Sequence, residues 1–269
     1  IGRISFDKFI EYFFGYYCLL QLTGNSISFR SKHLDFDQLL DYEAPESSQT
    51  VEHDIVFSIF DIPFPDMSYQ FRVGKMNYHK YLINNIKADL RTTTNHMLYV
   101  DTLQMNIAGG HMDIGGYFNG ADRNHIYFNP TISMDKINLD KLMFKFDNFG
   151  QDEVVSDNLH GDITGKLWGK IHMHADLTPM INESDIHMDI EVTGGSIENY
   201  GPLEALAVWF EDDQLHKVIF DTLANHVDLV NGEMIIPEMI INTNLGLIAL
   251  SRHQDMKYNM EHYLTDAMI

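Results

Sequence analysis

Residues 172–176 read His172-Met173-His174-Ala175-Asp176, the sharpest metal-like spacing in the chain. On an extended strand, positions i, i+2 and i+4 point the same way. Two imidazoles and a carboxylate would then share one face, as a divalent metal requires. The same residues also read as the wet face of a strand whose other face is uniformly apolar. From Lys166 one parity gives Leu167, Gly169, Ile171, Met173, Ala175 and Leu177; the other gives Lys166, Trp168, Lys170, His172, His174 and Asp176. A motif counts only when its structural context agrees, and here the intact dry face favours the solvated strand.

The stretch also resembles the His-x-His-x-Asp-His signature of metallo-β-lactamase-type hydrolases. Leu177 stands where that signature has its last histidine, and the αβ/βα alternation of those enzymes is missing. A hydrolase built on His172, His174 and Asp176 is therefore the alternative reading, and the expectation is no enzyme, no metal and no cofactor. No His-Glu-x-x-His helix, Gly-x-Ser-x-Gly elbow, P-loop or dinucleotide fingerprint occurs. Asp61, Asp66, Asp101, Asp113, Asp140 and Asp147 fall near strand ends, where solvated or turn-capping roles are usual. Cys18 is the only cysteine, so neither an internal disulfide nor a cysteine-based zinc site can form.

The elements that must position these residues are strands. After the turn at residues 179–184, Ile186, Met188, Ile190 and Val192 alternate with His187, Asp189 and Glu191. Tyr99, Leu103, Met105 and Ile107 share an earlier face, and Met112 with Ile114 follow. Met256, Tyr258 and Met260 alternate with Asp255, Lys257, Asn259 and Glu261. Strands with one dry and one wet face belong to antiparallel sheet. Gly109-Gly110, Asn119-Gly120, Gly194-Gly195 and Asn231-Gly232 are hairpin or bulge signals. Three short stretches have helical spacing: Ile4 to Tyr17, Leu34 to Tyr42, and Pro202 to Glu211. The expected fold is mainly β: a long twisted antiparallel meander of about a dozen strands, forming an open half-barrel or groove, with a few short helices. Residues 1–50 form a helix-rich lead-in and residues 51–269 the antiparallel β domain, with the polar stretch from Ala44 to Thr50 at the boundary.

The formal charge of the 269-residue chain is −21, with 39 acidic and 18 basic side chains. Phosphate backbones would repel it, so nucleic acid is not an expected partner. Attachment to anionic lipid through Lys and Arg is disfavoured for the same reason. Contact with lipid would have to run through apolar surface, and fifteen methionines offer a pliant one. No signal peptide is visible, and the apolar run from Tyr12 to Leu22 is about half the length of a spanning helix. Both ends read as cuts in a longer polypeptide.

Residues 158–179 (NLHGDITGKLWGKIHMHADLTP) resemble the C-terminal region of AsmA-like proteins, in the form common among Bacteroidetes. So do residues 189–199 (DIEVTGGSIEN), 220–225 (FDTLAN) and 231–246 (NGEMIIPEMIINTNLG). Residues 95–103 (NHMLYVDTL) and 115–120 (GGYFNG) are similar to the same region. The likeness covers the chain from about residue 95 onward; Ser251-Arg252 departs from the Ser-Gly usual there. The resemblance implies a periplasmic β structure with an apolar interior, open along one side and anchored in the inner membrane by a segment outside this sequence. It also implies roles in outer-membrane assembly and phospholipid transport, with phospholipid or another acyl-chain lipid and envelope proteins as partners. The groove-lining candidates are Leu167, Ile171, Met173, Ile186, Met188, Ile190, Val192, Met256, Tyr258 and Met260. A sealed structural β scaffold, carrying nothing, is the remaining alternative.

Overall fold

A computed structural model describes residues 18–35, 58–61, 64–78, 81–145, 158–199 and 216–255. These residues form one twelve-stranded sheet whose spatial order is the chain order. The strands are β1 (Cys18–Thr23), β2 (Ser26–Asp35), β3 (Met67–Tyr78), β4 (Tyr81–Thr93), β5 (Met97–Ile107) and β6 (Gly110–Asn119). They continue as β7 (Ile126–Asn138), β8 (Leu159–Met173), β9 (Asp185–Glu198), β10 (Lys217–Val230), β11 (Glu233–Thr243) and β12 (Gly246–Asp255). The outer strands, β1 and β12, do not pair with each other, so the sheet is open rather than closed into a barrel. The mainly β, unclosed architecture is the one that period-two patterning implies. Among the described residues no helix is long and apolar enough to cross a membrane.

The pairing of β2 with β3 departs from the meander, because their register is parallel. The connection from residue 36 to residue 66 makes this possible. A parallel pair needs a long return, which a two-residue turn cannot supply. The expected helices at Ile4 to Tyr17 and Pro202 to Glu211 lie outside the described residues. Leu34 and Asp35, expected to open a third helix, are instead the last residues of β2. The one α-helix among the described residues is α1 (Leu139–Lys145), capped by Asn138, whose Oδ1 accepts the Lys141 amide at 3.2 Å.

The chain divides into two compact units. The first comprises residues 1–107, 113–130 and 171–180. One cluster of its core is Ile59, Phe118 and Ile126, joined by Phe60, Phe64, Leu98, Phe128, Met173 and Ala175; Phe29, Val73, Ile86 and Val100 are also buried. The 3-10 turn Ile59–Asp61 contributes Ile59 to this cluster, and the Ile59 amide donates to the Ala175 carbonyl at 2.7 Å. Phe60 and Phe64 contact the His96 ring, with centroids 5.2 and 5.0 Å away. Thr92 ties the segment further by donating its hydroxyl to the Pro65 carbonyl at 2.6 Å.

The second unit comprises residues 108–112, 131–170 and 181–269. Across β8 and β9, Leu167 pairs with Met188, Gly165 with Ile190, and Gly169 with Ile186. Across β9 and β10, Val192 faces Leu223, Met188 faces Val227, and Ile186 faces Leu229. Paired residues project to the same side, so these side chains form one apolar face. Its close strand approach depends on Gly169, with φ +145°, where a Cβ would sit 2.0 Å from the Asp185 carbonyl oxygen. Gly194-Gly195, read as a hairpin or bulge, is a bulge within β9. His160 pairs with Ser196 and Asp162 with Thr193, so two β9 residues oppose one of β8, and Gly194 takes φ +59°. Opposite it, burial in β10 changes parity from Val218 and Phe220 to Leu223, Val227 and Leu229. Asn231-Gly232 forms the two-residue turn between β10 and β11, with φ +55° and +81°.

Candidate functional site

The apolar face of the second unit gathers five of the expected groove residues. Ile186 and Val192 are buried, at 6% and 2% exposure. Leu167, Met188 and Ile190 are only half-buried, although they sit centrally among them. Ile171 is also half-buried; it continues the parity of Leu167 along β8 but belongs to the first unit. Met173 packs against the cluster of Ile59, Phe118 and Ile126. Met256, Tyr258 and Met260 lie outside the described residues.

The His172, His174 and Asp176 cluster does not share a strand face. β8 ends at Met173, and His174 to Asp176 enter a turn closed by the Leu177 amide donating to the His174 carbonyl at 3.0 Å. Leu177 takes φ +68°. Asp176 turns back on Thr178, accepting its amide at 2.9 Å and its hydroxyl at 2.6 Å, and these bonds hold its carboxyl below the ordinary value. His172 faces the Tyr127 ring at 6.2 Å. The turn defeats the period-two spacing that would have aligned the three groups.

A different polar constellation forms on the second unit, where the sequence repeats one triplet. His187-Met188-Asp189 in β9 and His226-Val227-Asp228 in β10 are both His-x-Asp. The antiparallel register places His187 opposite Asp228 and Asp189 opposite His226. Each imidazole therefore meets a carboxylate across the strands. His187 Nδ1 lies 2.5 Å from Asp228 Oδ1, and His226 Nδ1 lies 2.6 Å from Asp189 Oδ1. His226 Nε2 approaches the same Asp228 oxygen at 2.9 Å. Trp168, paired with His187 across β8 and β9, stacks on its ring at 5.7 Å and meets the His226 ring at 6.1 Å.

The electrostatics follow from this geometry. The Asp189 carboxylate on Nδ1 raises the His226 pKa, and Asp228 on Nε2 adds to it. His187 first, and then His226, hold the Asp228 carboxyl below its ordinary value. A carboxylate oxygen on each ring nitrogen favours the protonated form of His226 over its ordinary balance. One ligand atom from each of His187, His226 and Asp228 lies within 4.8 Å of the other two, so these three could also hold a cation.

Periodicity alone placed His187, Asp189 and Trp168 on a wet face, and did not connect them to His226 and Asp228. The repeated His-x-Asp was the available signal, but only the register joins its two copies. No protein-family model matches the chain, and neither does any curated protein or solved structure.

Proposed function

We propose that this chain is a non-enzymatic lipid-binding segment whose apolar sheet face carries acyl chains while charged head groups remain in water. The observation that supports it is the partial burial of Leu167, Met188 and Ile190 at the centre of a face flanked by buried Ile186 and Val192. A sealed core would bury its central residues as fully as its margins. Each acyl methylene moved from water onto such a face contributes about 0.8 kcal/mol. The openness of the sheet agrees with this reading, as does the resemblance to AsmA-like proteins. On that resemblance the protein is periplasmic and held at the inner membrane through a segment outside this sequence. It would support outer-membrane assembly and phospholipid movement between membranes, together with envelope proteins.

A carboxylate on the face separates conduit from scaffold. Met188→Asp puts a charge where hydrocarbon would lie, and an unpaired buried charge is costly unless water reaches it. On a face open to water, the lipid-free fold should keep its melting temperature while phospholipid seen by native mass spectrometry is lost. Unfolding of the variant, with no lipid on the wild type, would leave the scaffold reading in its place.

A further inference from the structure

We infer that His187, His226 and Asp228 form a binding site for a single zinc-class dication on the polar face of β9 and β10. The inference departs from the metal-free expectation, and it does not depend on whether the opposite face carries lipid. Its first support is convergence. Side chains directly opposite in an antiparallel pair have Cβ atoms about 4.5–5.5 Å apart. The two His-x-Asp triplets thus bring His187 Nδ1 to 2.5 Å and His226 Nε2 to 2.9 Å from one Asp228 oxygen, and a ligand atom of each residue lies within 4.8 Å of the other two. Nitrogen and oxygen ligands about 2.0–2.2 Å from a tetrahedral zinc are spaced by a little over 3 Å. Small side-chain rotations therefore suffice, with no change in register.

The second support is the outer partner of His226. Asp189 accepts the Nδ1–H at 2.6 Å, which fixes the ring and turns Nε2 toward Asp228. A carboxylate behind the distal nitrogen is the usual arrangement for a metal-bound histidine; it orients the ligand and makes it more basic. Trp168 stacks on the His187 ring and restricts its orientation. Two imidazoles and one carboxylate are a borderline-soft donor set that suits zinc better than calcium or magnesium, which favour all-oxygen sites. On binding, the dication would take the place of any proton held between His226 Nε2 and Asp228, and that proton would leave to solvent. His187 moves its N–H from Nδ1 to Nε2. Three protein ligands leave a fourth position for water or for an anionic group of a bound molecule.

The test is titration of the EDTA-dialysed 269-residue chain with Zn²⁺ by calorimetry, and with Co²⁺ by visible absorption. One equivalent should bind, and Co²⁺ should give the intense d–d bands of a tetrahedral centre. His226→Gln and Asp228→Asn should each weaken binding at least tenfold and abolish those bands. Asp189→Asn should weaken it about ten- to a hundredfold, as loss of an outer partner does. His172→Ala should change nothing. Far-UV circular dichroism confirms that each variant keeps its sheet; His187→Gln serves where one does not. Absence of micromolar binding, or binding that survives both His187→Gln and His226→Gln, would overturn the site and assign any uptake to scattered surface histidines.

Discussion

Glu198 shows how single side chains are tuned at strand ends in this acidic chain. Its carboxylate accepts from the Lys217 ammonium at 2.5 Å and from the Ser196 hydroxyl at 2.8 Å, and Lys217 is the larger cause of its lowered pKa. A carboxyl depressed in the folded state stabilises the fold above its unfolded value of about 4.3, and that contribution fades as pH falls through the folded value. The pair is partly solvated, so the stabilisation is below about 1 kcal/mol. A carbon-detected NMR titration should show Glu198 protonating below the usual glutamate range, and Lys217→Met should move it back up. An unchanged titration in the variant would mean that the ammonium does not control the carboxyl. Gly169 gives the backbone counterpart. A methyl group there would meet the Asp185 carbonyl oxygen at 2.0 Å, and φ +145° is a region that side chains rarely adopt. Gly169→Ala should cost about 2 kcal/mol or more in denaturant unfolding, because strained backbone of this kind costs about 1–3 kcal/mol even without a clash. A loss under about 0.5 kcal/mol would show that β8 and β9 do not approach so closely.

At the scale of elements, one core cluster of the first unit includes a short segment that brings little regular structure of its own. The Ile59–Asp61 turn contributes one deeply buried side chain, Ile59 at 6% exposure, to the core with Phe118 and Ile126. Truncating a buried isoleucine to alanine typically costs about 2–5 kcal/mol. Ile59→Ala should fall in that range and should speed hydrogen exchange at its own amide, which donates to Ala175. A near-neutral substitution would mean that the segment only rests on the sheet. The strands themselves were legible because a half-buried strand writes its two faces into alternating residues: Leu167 and Met188 were placed on one face, and His187 and Asp189 on the other, by parity alone. The turn at Asn231-Gly232 was legible because both residues tolerate positive φ. Two features were not. Parallel pairing of β2 and β3 depends on the path of a long connection, which leaves no local signature. The His187–His226–Asp228 group depends on the register between strands almost forty residues apart, whereas the metal-like triplet at residues 172–176 is visible in local spacing alone. That spacing failed because β8 stops at Met173 and the following residues turn, with Asp176 bonded to Thr178.

For the whole molecule, net charge and the chemistry of the apolar face make opposing demands on any lipid partner. A formal charge of −21 repels anionic head groups, and no excess of Lys or Arg offsets it. An acyl chain on Leu167, Met188 and Ile190 gains by burial, which does not depend on the sign of the head group. Lipid capture driven by the face should therefore persist, or strengthen slightly, as salt rises from low to physiological levels and screens the repulsion over about 8–10 Å. It should also grow with chain length, by about 0.8 kcal/mol for each added methylene until the face is filled. Fluorescent or spin-labelled phospholipids of increasing acyl length, with zwitterionic and anionic head groups at two salt concentrations, distinguish the possibilities. Affinity that rises with chain length and differs little between head groups at physiological salt fits burial on the face. Affinity that falls steeply with salt and ignores chain length would place the contact on charged groups and remove the apolar face from the mechanism.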